Sequence, residues 1–115
     1  MRTRVTKSFS FEAAHKLEWH QGACRNLHGH SYRLEVSVEG ELDSNGIVVD
    51  FSDLAAVVRR EVIDRFDHTY LNDALENPTA ELLAHLIWGC LEAAGTPLVR
   101  LRLWETADSS VEIAR

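Results

Sequence analysis

The sequence predicts an α+β domain in which two helices cover one face of a four-stranded antiparallel sheet, in the order β-β-α-α-β-β. Two patterns support this prediction. Four short stretches alternate apolar and polar residues, as strands with one buried face do. Between the second and third stretches, two longer segments repeat their apolar residues every three or four positions, as amphipathic helices do.

The first two strands have the clearest alternation. In residues 5–12, most odd positions are apolar, and in residues 30–39 the even positions from Tyr32 to Val38 are apolar. Because side chains repeat every two residues along a strand, each segment is expected to bury one face and expose the other. A loop of residues 17–27 separates the two strands.

Two helical segments follow. Ser52 is the predicted N-cap of the first helix, whose apolar positions run from Ala55 to Phe66. Residues 77–79 are predicted to open the second helix, because they include a proline, which is favoured in a first helical turn. The apolar stripe of this helix runs from Leu82 to Ala94, and Gly95 is expected to end it.

The last two strands are predicted at residues 99–103 and 111–113, on either side of a turn at residues 106–109. A four-stranded sheet of this kind has open edges, whose unpaired backbone groups invite pairing with another chain. Oligomerisation that joins the edges would remove this exposure.

Length and composition restrict the function. The 115 residues are expected to form one domain, 1–115, and 45% hydrophobic with 26% charged residues is usual for a globular protein. The net charge of −6 argues against binding to nucleic acids or acidic membranes, but it permits a small anionic ligand. Two cysteines cannot build a disulfide framework. The chain has no apolar run typical of a signal peptide or a membrane span, and it is expected to be cytoplasmic.

Three histidines end the predicted buried faces of the first two strands. His28 and His30 lie on one face because they are two residues apart, and His15 shares the parity of the inward residues of the first strand. If the two strands pair as a hairpin, the three rings can converge. They would then form an open Zn²⁺ site with one position left for a reacting molecule. The alternative is that they are ordinary surface or core histidines, since a His-x-His pattern alone is a weak signal.

Cys24 lies in the loop between the first two strands and has two interpretations. It can be a fourth ligand that closes a structural zinc site. It can instead be a nucleophile or base, because a thiol near a metal or a cationic group loses its proton more easily. Cys90 lies in the apolar stripe of the second helix and is expected to be a core residue.

Three further polar residues are candidates for chemistry. Asp67 directly precedes His68, and an acid beside a histidine can hold and charge the ring for proton transfer. The alternative for His68 is a histidine that complements the dipole at a helix C-terminus. Glu105 ends the apolar face of a predicted strand, so it either binds a partner, such as the paired N–H donors of a heterocycle, or reaches solvent.

In these residues and in the motifs around them, the chain resembles the 6-pyruvoyl-tetrahydropterin synthase / 6-carboxytetrahydropterin synthase family over essentially its whole length. The matching stretches, in order, are residues 9–15 (FSFEAAH), 24–32 (CRNLHGHSY), 49–51 (VDF), 67–72 (DHTYLN), 77–81 (NPTAE) and 104–106 (WET). The cysteine four residues before His28, and the Leu-Asn that follows Asp67-His68, look most like the bacterial carboxy-forming branch. That branch acts in the synthesis of 7-deazaguanine (queuosine) precursors.

The resemblance implies a tunnelling fold (T-fold), in which subunits join their sheets into a barrel. Such subunits commonly form hexamers, as dimers of trimers, with active sites at the interfaces. The implied site residues are His15, His28 and His30 as metal ligands, Cys24, Asp67 and His68 as catalytic residues, and Glu105 and Thr106 as pterin-binding residues. In this scheme Cys24 is a free thiol, and the Asp67/His68 pair comes from across a subunit interface.

The implied activity is that of a zinc-dependent lyase. It converts 7,8-dihydroneopterin triphosphate into 6-carboxy-5,6,7,8-tetrahydropterin, acetaldehyde and triphosphate. Zn²⁺ can acidify the side-chain oxygens of this substrate, and Cys24 with the Asp67/His68 pair can move protons at its carbons. The alternative within the family is 6-pyruvoyl-tetrahydropterin synthase activity on the same substrate.

The sequence is also compatible with a cupin metalloprotein or with a non-catalytic subunit. Gly22, His28, His30 and Glu35 fit the first motif of cupins, but Glu35 has the opposite parity to the histidines unless a bulge intervenes. The sequence shows no second histidine motif of the cupin type. A non-catalytic subunit would bind a pterin or a metal on the same scaffold.

Overall fold

The computed structural model describes residues 1–115 and contains a five-stranded sheet in the order β3-β1-β2-β4-β5. The strands are β1 (Thr3–His15), β2 (His28–Gly40), β3 (Thr69–Tyr70), β4 (Leu98–Thr106) and β5 (Ser109–Ala114). The four predicted strands are β1, β2, β4 and β5, and each pairs with its neighbour in antiparallel orientation. The predicted α+β class is confirmed.

The prediction of four strands missed one. β3 has two residues and runs parallel to β1, pairing with Ala13 and Ala14, so the sheet is mixed rather than purely antiparallel. A strand of two residues is too short to show an alternating pattern, and its position depends on contacts with β1. β3 pairs only with the end of β1 next to His15, and the rest of that edge has no neighbouring strand.

β1 and β2 form a long hairpin in which thirteen residues of each strand are paired. The register places Ala13 opposite His30 and His15 opposite His28. Because residues that face each other in an antiparallel pair lie on the same side of the sheet, the inward residues of both strands share one face. The hairpin therefore carries all three histidines to one end of that face.

Two helices separate β2 from β4. The first consists of three consecutive segments, α1 (Phe51–Val58), a π-helical turn (Arg59–Ile63) and α2 (Asp64–Phe66). The second is α3 (Ala80–Ala93), and the side chain of Thr79 caps it by accepting a hydrogen bond from the Leu82 amide. The chain has no helix whose length and hydropathy would let it cross a membrane.

The N-cap of the first helix is Asp50, so the prediction of Ser52 was wrong. Asp50 Oδ1 accepts hydrogen bonds from the amides of Ser52, at 2.6 Å, and Asp53, at 3.4 Å. Both Asp and Ser are good capping residues. A carboxylate gains additional stabilisation from the positive end of the helix dipole.

The core lies between the inward face of the sheet and the two helices. Its fully buried residues include Leu34 and Val36 of β2, Val58 and Val62 of the first helix, Leu83 and Ile87 of α3, and Leu101 and Leu103 of β4. Burying one such side chain stabilises the fold by about 1.5–3 kcal/mol. This packing fixes the hairpin, and so it also fixes the strand ends that carry the histidines.

Cys90 is only partly buried, contrary to the prediction of a core residue. The residues of α3 that enter the core are Leu83, Ala84, Ile87 and Leu91. Cys90 lies at the margin of this stripe, where its Sγ accepts a hydrogen bond from Arg65 Nη1 at 3.2 Å.

Candidate active site

The rings of His15, His28 and His30 meet at the end of the β1–β2 hairpin. Their centroids lie 4.6 to 5.0 Å apart, and the ring nitrogens that can hold a metal all lie within 4.8 Å of one another. His15 is buried and the other two are partly buried. Nε2 of His15 and Nε2 of His28 are 3.1 Å apart, close to the separation of about 3.3 Å that a tetrahedral zinc site imposes on two nitrogens.

Backbone carbonyls fix the tautomer of two of these rings. Nδ1 of His15 lies 2.8 Å from the carbonyl oxygen of Pro78, and Nδ1 of His28 lies 2.7 Å from that of Asn26. A carbonyl oxygen can only accept, so each Nδ1 donates and each neutral ring keeps a lone pair on Nε2. The two Nε2 atoms that carry these lone pairs are 3.1 Å apart. This arrangement is repulsive unless a cation lies near both nitrogens, and it therefore fits a metal ion.

His30 supplies the third nitrogen. Its Nε2 is buried and has no hydrogen-bond partner, and Glu105 Oε1 lies 3.8 Å away. Burial lowers the pKa of His30, and the negative charge of Glu105 partly offsets this effect. A buried polar nitrogen without a partner costs free energy, and coordination of a metal by His30 would remove that cost.

Tyr32 supports the histidine cluster from the core side, a role that the sequence analysis missed. Its ring lies edge-on to His30, at a centroid distance of 5.6 Å, and is stacked on Phe11 at 5.1 Å. Burial, together with the nearby charge of Glu105, raises the pKa of the Tyr32 hydroxyl. The shared parity of Tyr32 and His30 on β2 is the signal that predicts this contact.

Glu105 and Thr106, which were predicted to act together, have different surroundings. Glu105 lies at an irregularity in the β4–β5 pairing, between the paired residues Trp104 and Thr106, and it is beside His30. Thr106 is exposed, and its hydroxyl donates a hydrogen bond to Asp108 Oδ1 at 2.9 Å within the turn. Of these two residues, only Glu105 lies next to the histidine cluster of the same chain.

Cys24 lies in a short 3₁₀ turn (Ala23–Arg25) between β1 and β2 and is partly buried. Its carbonyl oxygen accepts a hydrogen bond from the Leu17 amide at 2.8 Å, which ties the loop to the chain just beyond β1. The group of side chains that can share a metal contains the three histidines and does not include Cys24. The thiol is therefore outside the ligand cluster, and its catalytic role stays a prediction.

Asp67 and His68 form the turn between α2 and β3 and are anchored to β1. Asp67 Oδ1 lies 3.0 Å from Nδ1 of His68 and accepts a hydrogen bond from the Glu12 amide at 2.8 Å. The Glu12 hydrogen bond is the main reason why the pKa of Asp67 is lowered. The His68 amide in turn donates to the Glu12 carbonyl oxygen at 2.5 Å. His68 is the second residue after the end of α2. This position also agrees with the alternative interpretation of His68 as a histidine that complements the dipole at a helix C-terminus.

A cleft of about 590 Å³ connects His30 with the Asp67/His68 turn. Its lining includes His30, His68, Tyr70 and Leu27. This volume lies within the range of small-molecule sites, which is about 300–1,000 Å³. One chain thus brings a histidine of the cluster and His68 of the predicted proton-transfer pair to a common space, whereas Asp67, Cys24 and Glu105 do not line it.

Comparison with known proteins identifies the family. The family model described as 6-pyruvoyl tetrahydropterin synthase matches residues 4–115. The chain belongs to this family. A family member from Synechocystis, named 6-carboxy-5,6,7,8-tetrahydropterin synthase, is 45% identical over 92% of this chain and 88% of its own. A second, from Pyrococcus furiosus, is named dihydroneopterin monophosphate aldolase and is 39% identical over 98% of each chain.

A solved structure of the family agrees with this assignment. The 6-pyruvoyl tetrahydropterin synthase of Caenorhabditis elegans superposes with a TM-score of 0.89 at 26% identity, over 100% of this chain and 96% of that one. The predicted tunnelling fold is therefore confirmed, and the cupin interpretation was wrong. Glu35, which that interpretation required as a ligand, instead accepts a hydrogen bond from Trp104 Nε1 at 2.9 Å and pairs with Arg100.

Proposed function

We propose that the chain is a 6-carboxy-5,6,7,8-tetrahydropterin synthase that acts in the cytoplasm in 7-deazaguanine (queuosine) biosynthesis. In this reaction, 7,8-dihydroneopterin triphosphate and one water yield 6-carboxy-5,6,7,8-tetrahydropterin, acetaldehyde and triphosphate. The observation that carries the proposal is the convergence of His15 and His28, whose Nε2 atoms lie 3.1 Å apart beside His30. Relatives with this printed name, similar over most of both chains, support the choice of lyase.

The metal in this proposal is Zn²⁺, held by His15, His28 and His30. Three imidazoles with a fourth position open are typical of catalytic rather than structural zinc sites. Bound there, the metal would acidify substrate hydroxyl groups and stabilise negative charge that develops on their oxygens. The carbonyl groups of Pro78 and Asn26 keep two of the rings oriented for this role.

Cys24, Asp67 and His68 move the protons in the proposed mechanism. The Asp67 carboxylate, held ionised by the Glu12 amide, lies 3.0 Å from Nδ1 of His68. It can stabilise the charged imidazole and leave the other ring nitrogen to exchange a proton with substrate. Cys24, outside the ligand cluster, acts as the second proton-transfer group at the side-chain carbons.

Glu105 is the proposed anchor of the pterin. Its carboxylate is next to His30, so a pterin bound to it would place its side chain near the metal site. The two oxygens of a carboxylate suit the paired N–H donors of the guanidine-like edge of a pterin. Thr106 assists in this proposal from the neighbouring position.

The proposed assembly is a homo-oligomer, a hexamer built as a dimer of trimers with active sites at subunit interfaces. The open edges of the sheet support it, because most of β1 has no neighbour on its outer side and β5 pairs only with β4. Edge strands of this length invite pairing with further strands.

A product assay tests the reaction. The purified protein with Zn²⁺ is incubated with 7,8-dihydroneopterin triphosphate, and mass spectrometry is expected to find acetaldehyde and 6-carboxy-5,6,7,8-tetrahydropterin. Cys24→Ala is expected to lower kcat by about 10²–10⁴-fold, the usual contribution of a proton-transfer group. Cys90→Ala, the matched control, should keep normal turnover because Cys90 lies on α3 at the margin of the core. Substrate left unconsumed, or a pyruvoyl product without acetaldehyde, would contradict the proposal.

The relative from Pyrococcus furiosus supports a second candidate activity, aldol cleavage of dihydroneopterin monophosphate. A retro-aldol cleavage of that side chain releases a two-carbon aldehyde that keeps its phosphate. Assays of the monophosphate and the triphosphate side by side separate the two activities. Acetaldehyde and triphosphate identify the carboxy-forming lyase, whereas a phosphorylated aldehyde identifies the aldolase.

A further inference from the structure

The segment that follows the Asp67/His68 turn, residues 69–79, runs along the end of β1 and contacts it beyond β3. Asn72 makes the first of these contacts. Its Oδ1 accepts a hydrogen bond from the Lys16 amide at 3.0 Å, and its Nδ2 donates to the Lys16 carbonyl oxygen at 3.0 Å. One side-chain amide thus pairs with both backbone groups of the residue next to His15.

This contact lies two residues beyond the last residue pair of β1 and β3. β3 pairs with β1 at Ala13 and Ala14, and regular pairing stops there. Beyond that point the Asn72 amide offers the donor and the acceptor that a further strand residue would offer to Lys16. Without it, the last residues of β1 would lose their support on this side, and the His15 backbone could fray.

A second contact acts on the His15 ring itself. The Pro78 carbonyl oxygen accepts the hydrogen bond from Nδ1 of His15 at 2.8 Å, and Pro78 is buried. Its neighbour Asn77 is held from the other side, because Trp19 Nε1 donates to Asn77 Oδ1 at 2.8 Å. The Trp19–Asn77 hydrogen bond therefore restrains the residue next to the carbonyl group that orients His15.

We propose that Asn72 and Trp19 are positioning residues for the metal site, Asn72 through the Lys16 backbone and Trp19 through Asn77 and Pro78. Both act on His15, so together they hold its Nε2 opposite that of His28. The inference rests on the proposed metal site and adds two residues to which no role has been given. Groups hydrogen-bonded directly to a metal-binding histidine commonly change metal affinity by about 10–100-fold when they are removed, and Asn72 and Trp19 act through one or two intervening residues.

Variants of Asn72 test the first contact. In Asn72→Ala both hydrogen bonds to Lys16 are lost. Asn72→Asp keeps the shape of the side chain but has no N–H for the Lys16 carbonyl, so a role in packing alone would leave it unaffected. The matched control is Asn45→Ala, because Asn45 is exposed in a turn far along the chain from the site and its side chain has no hydrogen bond.

The readout is metal binding rather than turnover. The dissociation constant for Zn²⁺ is measured by competition with a chromophoric chelator, and the visible spectrum of the Co²⁺-loaded protein reports the ligand geometry. Both Asn72 variants are expected to bind Zn²⁺ about 10-fold more weakly, the low end of the range for direct partners of a ligating histidine, with altered Co²⁺ bands. Asn45→Ala should match the unaltered protein in both measurements. A residue that only stabilises the fold would lower the melting temperature of the metal-free protein and leave the Co²⁺ spectrum unchanged.

Trp19→Phe provides an independent test, and it decides the question if Asn72→Ala does not fold. Trp19 is 58% exposed, so the variant keeps an aromatic ring and loses mainly the N–H that holds Asn77. It should also weaken Zn²⁺ binding and shift the Co²⁺ bands.

Normal affinity and spectra in the folded variants overturn the inference and leave the proposed function intact. If the unaltered protein itself takes up neither metal, the proposed metal site fails and the inference fails with it.

Discussion

The tautomers of His15 and His28 show how backbone groups prepare this site. Each ring donates a hydrogen bond from Nδ1–H to a carbonyl oxygen, of Pro78 or of Asn26, and each therefore presents Nε2 to the centre of the cluster. The two backbone carbonyls thus orient both rings so that a metal can be bound through Nε2.

Glu35 gives a prediction at the same scale, on the face of the sheet away from the helices. A hydrogen bond from Trp104, and then hydrogen bonds and ionic contact with Arg100, lower the pKa of Glu35 below its usual value of 4.5. A lowered pKa in the folded state stabilises the fold above the unfolded pKa, and this stabilisation is lost as the pH falls through the folded pKa.

Glu35→Gln is therefore expected to be less stable than the unaltered protein at neutral pH. The difference in the free energy of unfolding should shrink as the pH falls from about 5 towards 3. Urea denaturation at several pH values measures it. Glu41→Gln is the control, because Glu41 is largely exposed and its ion pair is with the exposed chain N-terminus. A difference that stays constant over this range would contradict the assignment.

The elements show which structural features a sequence pattern can predict. The parity of alternating residues predicted β1, β2, β4 and β5 and the convergence of His15, His28 and His30. These features follow from local periodicity and from the pairing of β1 with β2. β3 and the contact of the Pro78 carbonyl with His15 depend on how distant segments pack, and periodicity carries little information about such contacts. The Asn26 carbonyl is close to His28 in the chain, but its contact depends on the course of the loop, which alternation does not describe.

The start of the first helix is a local feature that the sequence left ambiguous. Asp50 and Ser52 are both good caps, and only the structure shows that Asp50 accepts the two amide hydrogen bonds. Asp50→Ala is expected to lower the free energy of unfolding by about 1 kcal/mol, whereas Ser52→Ala should change it by less than about 0.5 kcal/mol. Chemical denaturation of both variants measures the difference. Equal losses in the two variants would mean that the cap is shared.

The whole molecule is elongated, with extents of 53 × 23 × 22 Å, and its sheet is open at β1 and β5. Most of the outer edge of β1 is unpaired, since β3 pairs with only two of its residues. A long flat edge is a surface for another strand. The proposed assembly would cover both edges.

Mixed oligomers test whether the active site crosses the subunit interface. Cys24→Ala and His68→Ala chains are each expected to be inactive alone. If Cys24 and His68 of one site come from different subunits, co-expression of the two variants should recover about a quarter of the normal activity by random mixing in a symmetric oligomer. If they come from one chain, every site lacks one of them and no activity returns. Light scattering checks that the mixed oligomers form.

The left-handed backbone of His68, with φ of 59°, links the chain reversal to the chemistry. Side chains with a branched Cβ fit this conformation poorly, while glycine, asparagine, aspartate and histidine tolerate it. Position 68, where the chain turns from helix to sheet, therefore accepts few residue types. Among those four, histidine alone has a ring that exchanges a proton near neutrality, so geometry and reactivity narrow the choice at this position to the same residue.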